Sequence, residues 1–180
     1  MVLNNLVVLS DGQLAAIAIY DNGGYPPFFN QTAYQKMHQY YPPYKMKGSW
    51  YFATPYLWCD GDKDATGKTD TWNGFISRRL QIPSNLDIQI YGNYNALNGT
   101  LDVQFRVKNT ASNSIAGRMH AVLIENGIPW DAPNGLKIHN HVPRIWWPDH
   151  LGRSAIFPSG ETTILSTNWS VDKAWNVASL

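Results

Sequence analysis

Cys59 is the only cysteine in the chain and offers the most varied chemistry of any single residue. A thiolate can act as a nucleophile or a metal ligand, but a dithiol cycle needs two sulfurs in one site. One sulfur therefore excludes both that cycle and an intrachain disulfide. The neighbouring Asp60 carboxylate opposes thiolate formation, and free cysteines are among the most buried residue types. Cys59 is thus expected to be a structural strand residue, with a reactive thiol as the alternative.

His139 and His141, with His150 nearby, form the only histidine cluster. Residues two apart on a strand share a face, so the pair could ligate a metal together with Asp149 or His150. The preferred expectation is simpler: one histidine bonds a loop carbonyl while the other faces solvent, and no metal or other cofactor is held. Asp60-Gly61-Asp62-Lys63-Asp64 spaces oxygen ligands like a calcium loop but lacks the downstream bidentate glutamate. There is no Gly-x-Ser-x-Gly elbow for a serine hydrolase and no glycine-rich phosphate loop, so catalytic residues are expected to be absent.

Two further groups of residues point to surface chemistry. Asn30, Asn98 and Asn168 each begin an Asn-x-Ser/Thr sequon, the acceptor for glycosylation if the chain is exported. Tyr25 and Phe28, Tyr41 and Tyr44, and Trp146 and Trp147 lie in aromatic–proline runs. These are expected either to contact a protein partner or a glycan, or to pack internally.

The elements that must position these residues change character part-way along the chain. Leu14 to Tyr20 is an apolar run closed by Asp21-Asn22-Gly23-Gly24, the pattern of a buried strand in a parallel-type sheet. Asn30 or Thr32 can cap a helix over 33–40 that Pro42-Pro43 terminates. Residues 49–52 and 56–59 read as extended, 60–62 as a turn, and 72–80 as a helix capped by Asp70 or Thr71. Residues 2–9 fit one helical face, so the chain is expected to open inside a helix, as a processed product or an incomplete sequence would.

From Leu86 onward the period becomes two. Leu86, Ile88 and Ile90 alternate with polar residues, as do Leu101, Val103, Phe105 and Val107, which predicts half-buried antiparallel strands. Asn98-Gly99 between them predicts a hairpin with positive φ at both positions. Met119, Ala121 and Leu123 predict a third strand, and 161–165 a fourth.

Composition narrows the function classes. Charged residues are 15% with a net charge of +1 and no basic run. Phosphate neutralisation, and hence nucleic-acid binding, is left without a basis. No apolar stretch approaches the ~20 residues of a transmembrane helix. Eight Trp and 10 Tyr supply ample surface to bury, so disorder is not expected.

The run Thr54-Pro55-Tyr56-Leu57-Trp58-Cys59-Asp60-Gly61 resembles the Thr-Pro-strand-Gly hairpin of thioredoxin-like domains. Taken with Trp72 and Ile76-Ser77-Arg78-Arg79-Leu80, the hinge Ile82-Pro83-Ser84, Gly127, and Ile138-His139-Asn140-His141-Val142-Pro143-Arg144, the chain resembles the outer-membrane-protein-28-related group of bacterial surface proteins. That resemblance implies an α+β chain: an incomplete thioredoxin-like α/β domain over 1–82 and an antiparallel immunoglobulin-like β-sandwich over 83–180. It also implies a cis bond at Pro55, which with Cys59 would be structural, and an extracellular or outer-membrane location. The group's Cys-x-x-Cys-Pro run and final strand have no counterpart here.

The expectation is a non-catalytic surface protein whose partners are copies of itself or other surface proteins, and possibly glycans. Unpaired sheet edges would template assembly into a filament or larger complex. The alternatives are a fragment of a periplasmic thiol-disulfide oxidoreductase and a carbohydrate-binding module.

Overall fold

The computed structural model describes residues 13–20, 27–40, 44–51, 56–61 and 71–180. The chain divides into two compact units, Met1–Pro83 and Ser84–Leu180.

In the first unit, helix α1 (Gln31–Met37) begins at Asn30, whose Oδ1 accepts the Ala33 N–H at 2.9 Å. That bond satisfies one of the orphan donors of the first turn. The helix starts before residue 33 and ends before Tyr40, because the asparagine cap fixes its start. Strands β1 (Tyr44–Met46) and β2 (Ser49–Tyr51) form an antiparallel hairpin, with Met46 opposite Ser49. Lys47 and Gly48 make its two-residue turn, both at positive φ (50° and 84°). Such a turn matches the twist of the strands it joins. Helix α2 (Trp72–Leu80) covers the predicted residues. Trp72, Phe75 and Ile76 bury one face of it, and Arg78 and Arg79 in its last turn complement the helix dipole.

Two expectations for this unit do not hold. Leu14–Tyr20 forms no strand, and every strand pair among the described residues is antiparallel. Within the run only Ala16 is buried and Ile17 is exposed, whereas a parallel central strand is covered on both faces. Residues 56–58 likewise form no strand. The predicted opening helix and Thr54-Pro55 lie outside the described residues. A cis peptide bond is found at Trp147-Pro148.

The second unit is built on a three-stranded antiparallel sheet in the order β11–β4–β3: β3 (Leu86–Asn95), β4 (Thr100–Asn109) and β11 (Thr162–Ser170). Asn95 pairs with Thr100, so the connection is a four-residue loop. Only Gly99 in it takes positive φ (69°), and its N–H donates to the Asn95 carbonyl at 2.9 Å. Asn98-Gly99 thus marks the turn without forming a two-residue one.

The predicted third strand is two strands. β5 (Ile115–Met119) pairs with β10 (Arg153–Phe157), and β6 (Ala121–Glu125) pairs with β9 (Val142–Trp147). The partner changes at His120, whose Nδ1 accepts the Trp146 indole N–H at 3.1 Å. The ring packs so close to Gly152 that a Cβ there would lie 2.5 Å from His120 Nε2. Continuous alternation over 119–123 cannot reveal this corner, because both halves face the same core.

A short pair, β7 (Ile128–Pro129) with β8 (Ile138–His139), completes the strands, and a 3-10 turn spans Val177–Ser179. The core gathers Val103, Phe105, Val107 and Trp169 from the three-stranded sheet with Ala121 and Phe157 from the strands opposite. Asn109, fully buried at the end of β4, donates to the Asn113 and Phe157 carbonyls at 2.9 and 2.8 Å and accepts the Ala111 N–H at 2.9 Å. It thereby satisfies the loops that close one end of the sheet.

Candidate functional site

β3 is an edge strand, paired to β4 on one side only. Its register sets Ile88 opposite Val107 and Ile90 opposite Phe105. Directly opposed residues share a face, so these isoleucines belong to the side of the sheet that carries the core. Yet Val107 and Phe105 are 1% and 3% exposed, while Ile88 and Ile90 are 54% and 66% exposed. The covering strands reach β4 and stop short of β3. Both the backbone edge and an apolar strip beside it are left open to solvent, a combination that sheet proteins normally blunt with charge, proline or cover. β3 has one charged residue, Asp87, and no proline.

The opposite face of the same sheet is polar. Pairing aligns Tyr91, Gln104 and Ser166 in one row across the three strands, and Asn93, Asp102 and Asn168 in the next. Together they line a concavity of about 650 Å³. Asn168 Nδ2 donates to Asp102 Oδ1 at 2.6 Å. The Tyr91 hydroxyl donates to Gln89 Oε1 at 2.9 Å, and Arg106 stands 6.0 Å from its ring.

A third cluster centres on the buried Glu125. Arg144 Nε on β9 donates to Glu125 Oε2 on β6 at 2.6 Å, and Glu125 Oε1 accepts the Asn176 N–H at 2.9 Å. The Asn126 side chain accepts the His141 N–H at 2.9 Å, and Asn140 accepts the Gly127 N–H at 2.7 Å. These partners all belong to the same unit, so the knot fastens the C-terminal segment to β6 and β9.

The sequence-derived candidates scatter. His139 is buried with Nε2 3.2 Å from the Trp130 carbonyl oxygen. His141 stands between β8 and β9 at φ +62°, so the two are not alternate residues of one strand, and burial lowers the His141 pKa from its ordinary 6.5. Among the described residues no three His, Cys, Asp or Glu side chains group in a way that could hold a metal ion.

Cys59 is half-buried beside the turn residues Asp60 and Gly61, both at positive φ, with Asp60 paired to Arg79 at 3.1 Å. Phe28 is wholly buried against Tyr20, and Trp146 is buried against His120, so neither is available for contact. Trp147 is half-buried, stacked on Phe105. Tyr25, Tyr41 and Pro55 lie outside the described residues, as does the Tyr44 side chain.

Of the sequons, Asn30 caps helix α1 through its side-chain oxygen, and Asn168 donates its side-chain nitrogen to Asp102. Asn98 is exposed in the β3–β4 loop, with its oxygen accepting from Thr100 N–H and Oγ1 at 3.1 and 2.7 Å. Its amide nitrogen has no partner among the described residues. The open edge and the polar rows were not singled out from sequence. Alternation signals a strand but carries no information on whether another sheet covers it.

No helix among the described residues is long and apolar enough to cross a membrane. No protein-family model matches the chain, and neither a curated protein nor a solved structure matches it.

Proposed function

We propose that this chain is a non-catalytic structural protein that assembles by adding sheet edges to one another, the partner being a second copy of itself. The observation that carries the proposal is the exposure of Ile88 and Ile90 on the core-bearing face of the unpaired strand β3. Edge addition pairs the open backbone groups and buries that apolar strip in one step.

The β3 sequence suits pairing with itself. An antiparallel alignment centred on Ile90 sets Ile88 against Gly92 and Asp87 against Asn93, with no like charges opposed. β11, the other edge of the sheet, has no charged residue. Pairing through β3 alone closes as a dimer, whereas use of both edges does not close and extends into a filament.

This reading includes an immunoglobulin-like sandwich for residues 83–180, a thioredoxin-like origin for residues 1–82, membership of the outer-membrane-protein-28-related group, and an extracellular or outer-membrane location. The antiparallel sheets around a shared core support the first of these, and the motifs around Thr54 and Ile138 support the rest. Sedimentation velocity over a rising concentration series tests the function. The wild-type mass should exceed the 20.3 kDa of one chain, and the double substitution Ile88→Lys/Ile90→Lys should return it to that value. A wild type that stays monomeric throughout overturns the proposal.

A further inference from the structure

We propose that the outward face of the β11–β4–β3 sheet is a binding site for a neutral oligosaccharide, centred on Tyr91 and Asp102. Three strands about 4.8 Å apart carry two rows about 7 Å apart, a footprint that matches a disaccharide. Five of the six side chains are polar and uncrowded. Asn93, Gln104 and Ser166 hold no side-chain hydrogen bond among the described residues, so donors and acceptors stand ready in a fixed array. Asp102 is held by Asn168 through one oxygen at 2.6 Å. Its Oδ2 is left as a charged acceptor for a pair of hydroxyls. Tyr91, half exposed, supplies the apolar surface on which the C–H face of a sugar ring packs.

Other ligand classes fit less well. A phosphate or nucleic acid needs several cations, whereas the two rows carry the Asp102 carboxylate and the adjoining row sets the single Arg106 guanidinium beside the Tyr91 ring. A protein partner needs a buried cluster of large anchors, and this face offers one aromatic ring. A polyhydroxyl ligand matches both the density of amides and the single ring.

Ile88 and Ile90 point to the opposite face, so substituting them leaves both rows of this site in place. Asn168 is also a sequon residue, and a glycan attached there would be carried on the nitrogen that donates to Asp102 and would fill the same concavity.

The test is a printed array of neutral, unsulfated oligosaccharides, followed by calorimetry with the strongest binder. Wild-type protein produced without glycosylation should bind, and Tyr91→Ala and Asp102→Asn should each weaken binding about tenfold or more. Both are surface changes that leave the core intact. The variant Ile88→Lys/Ile90→Lys should bind as the wild type does, which separates this site from the edge. Binding to no array glycan, or binding that survives both Tyr91→Ala and Asp102→Asn, overturns the proposal.

Discussion

His141 shows how one backbone angle converts a candidate ligand into a structural part. At φ +62° it closes the connection between β8 and β9, and its N–H is held by Asn126. Asparagine also tolerates this conformation. Burial favours the neutral form of the ring, so the folded chain releases this proton at lower pH than the unfolded chain does. The unfolded state then binds more protons below pH 6.5, and stability falls as pH drops from 6.5 toward the lower native value. His141→Asn keeps the turn and removes the titration. Urea denaturation should give a midpoint less sensitive to acid in this range for the variant than for the wild type. Equal pH dependence in the two proteins would show that His141 does not contribute.

At the scale of elements, the second unit depends on segments that sequence periodicity does not connect. The strands from Leu86 to Val107 were legible because alternate residues face a core and water in turn. The corner at His120 was not, since it depends on Trp146 and Gly152, which are distant in sequence and carry no alternation signal. The same holds for Glu125, a single acidic residue in an apolar strand whose partner Arg144 lies in another. Replacing Glu125 by Ala leaves the Arg144 guanidinium largely buried, with side-chain exposure of 14%, and strips the Asn176 N–H of its acceptor. The expected cost is about 3 kcal/mol by chemical denaturation, at the lower end for a broken buried pair. A cost below about 1 kcal/mol would mean that the pair does not secure the C-terminal segment to β6 and β9.

For the whole molecule, the informative feature moved from a lone thiol to an uncovered sheet. Sulfur gives Cys59 a reactive side chain, yet the thiol sits half-buried beside a turn and the Asp60–Arg79 pair. Unpaired edges were expected from the strands that the family resemblance leaves without a counterpart. Which edge stays open was not, because coverage is decided by the packing of β5, β6, β9 and β10 over β4. That packing leaves a strand with an apolar strip on one face and polar rows on the other, so one sheet carries both an assembly edge and a proposed ligand face.

The most direct test of the central claim is amide hydrogen exchange along β3 at low and high protein concentration. If copies pair through this edge, the amides of Leu86–Asn95 that face away from β4 exchange freely when the chain is dilute. They become protected as the chain assembles, and this protection is lost in Ile88→Lys/Ile90→Lys. Protection of those amides that is already complete in a dilute monomer, or exchange that does not change on concentration, would contradict it.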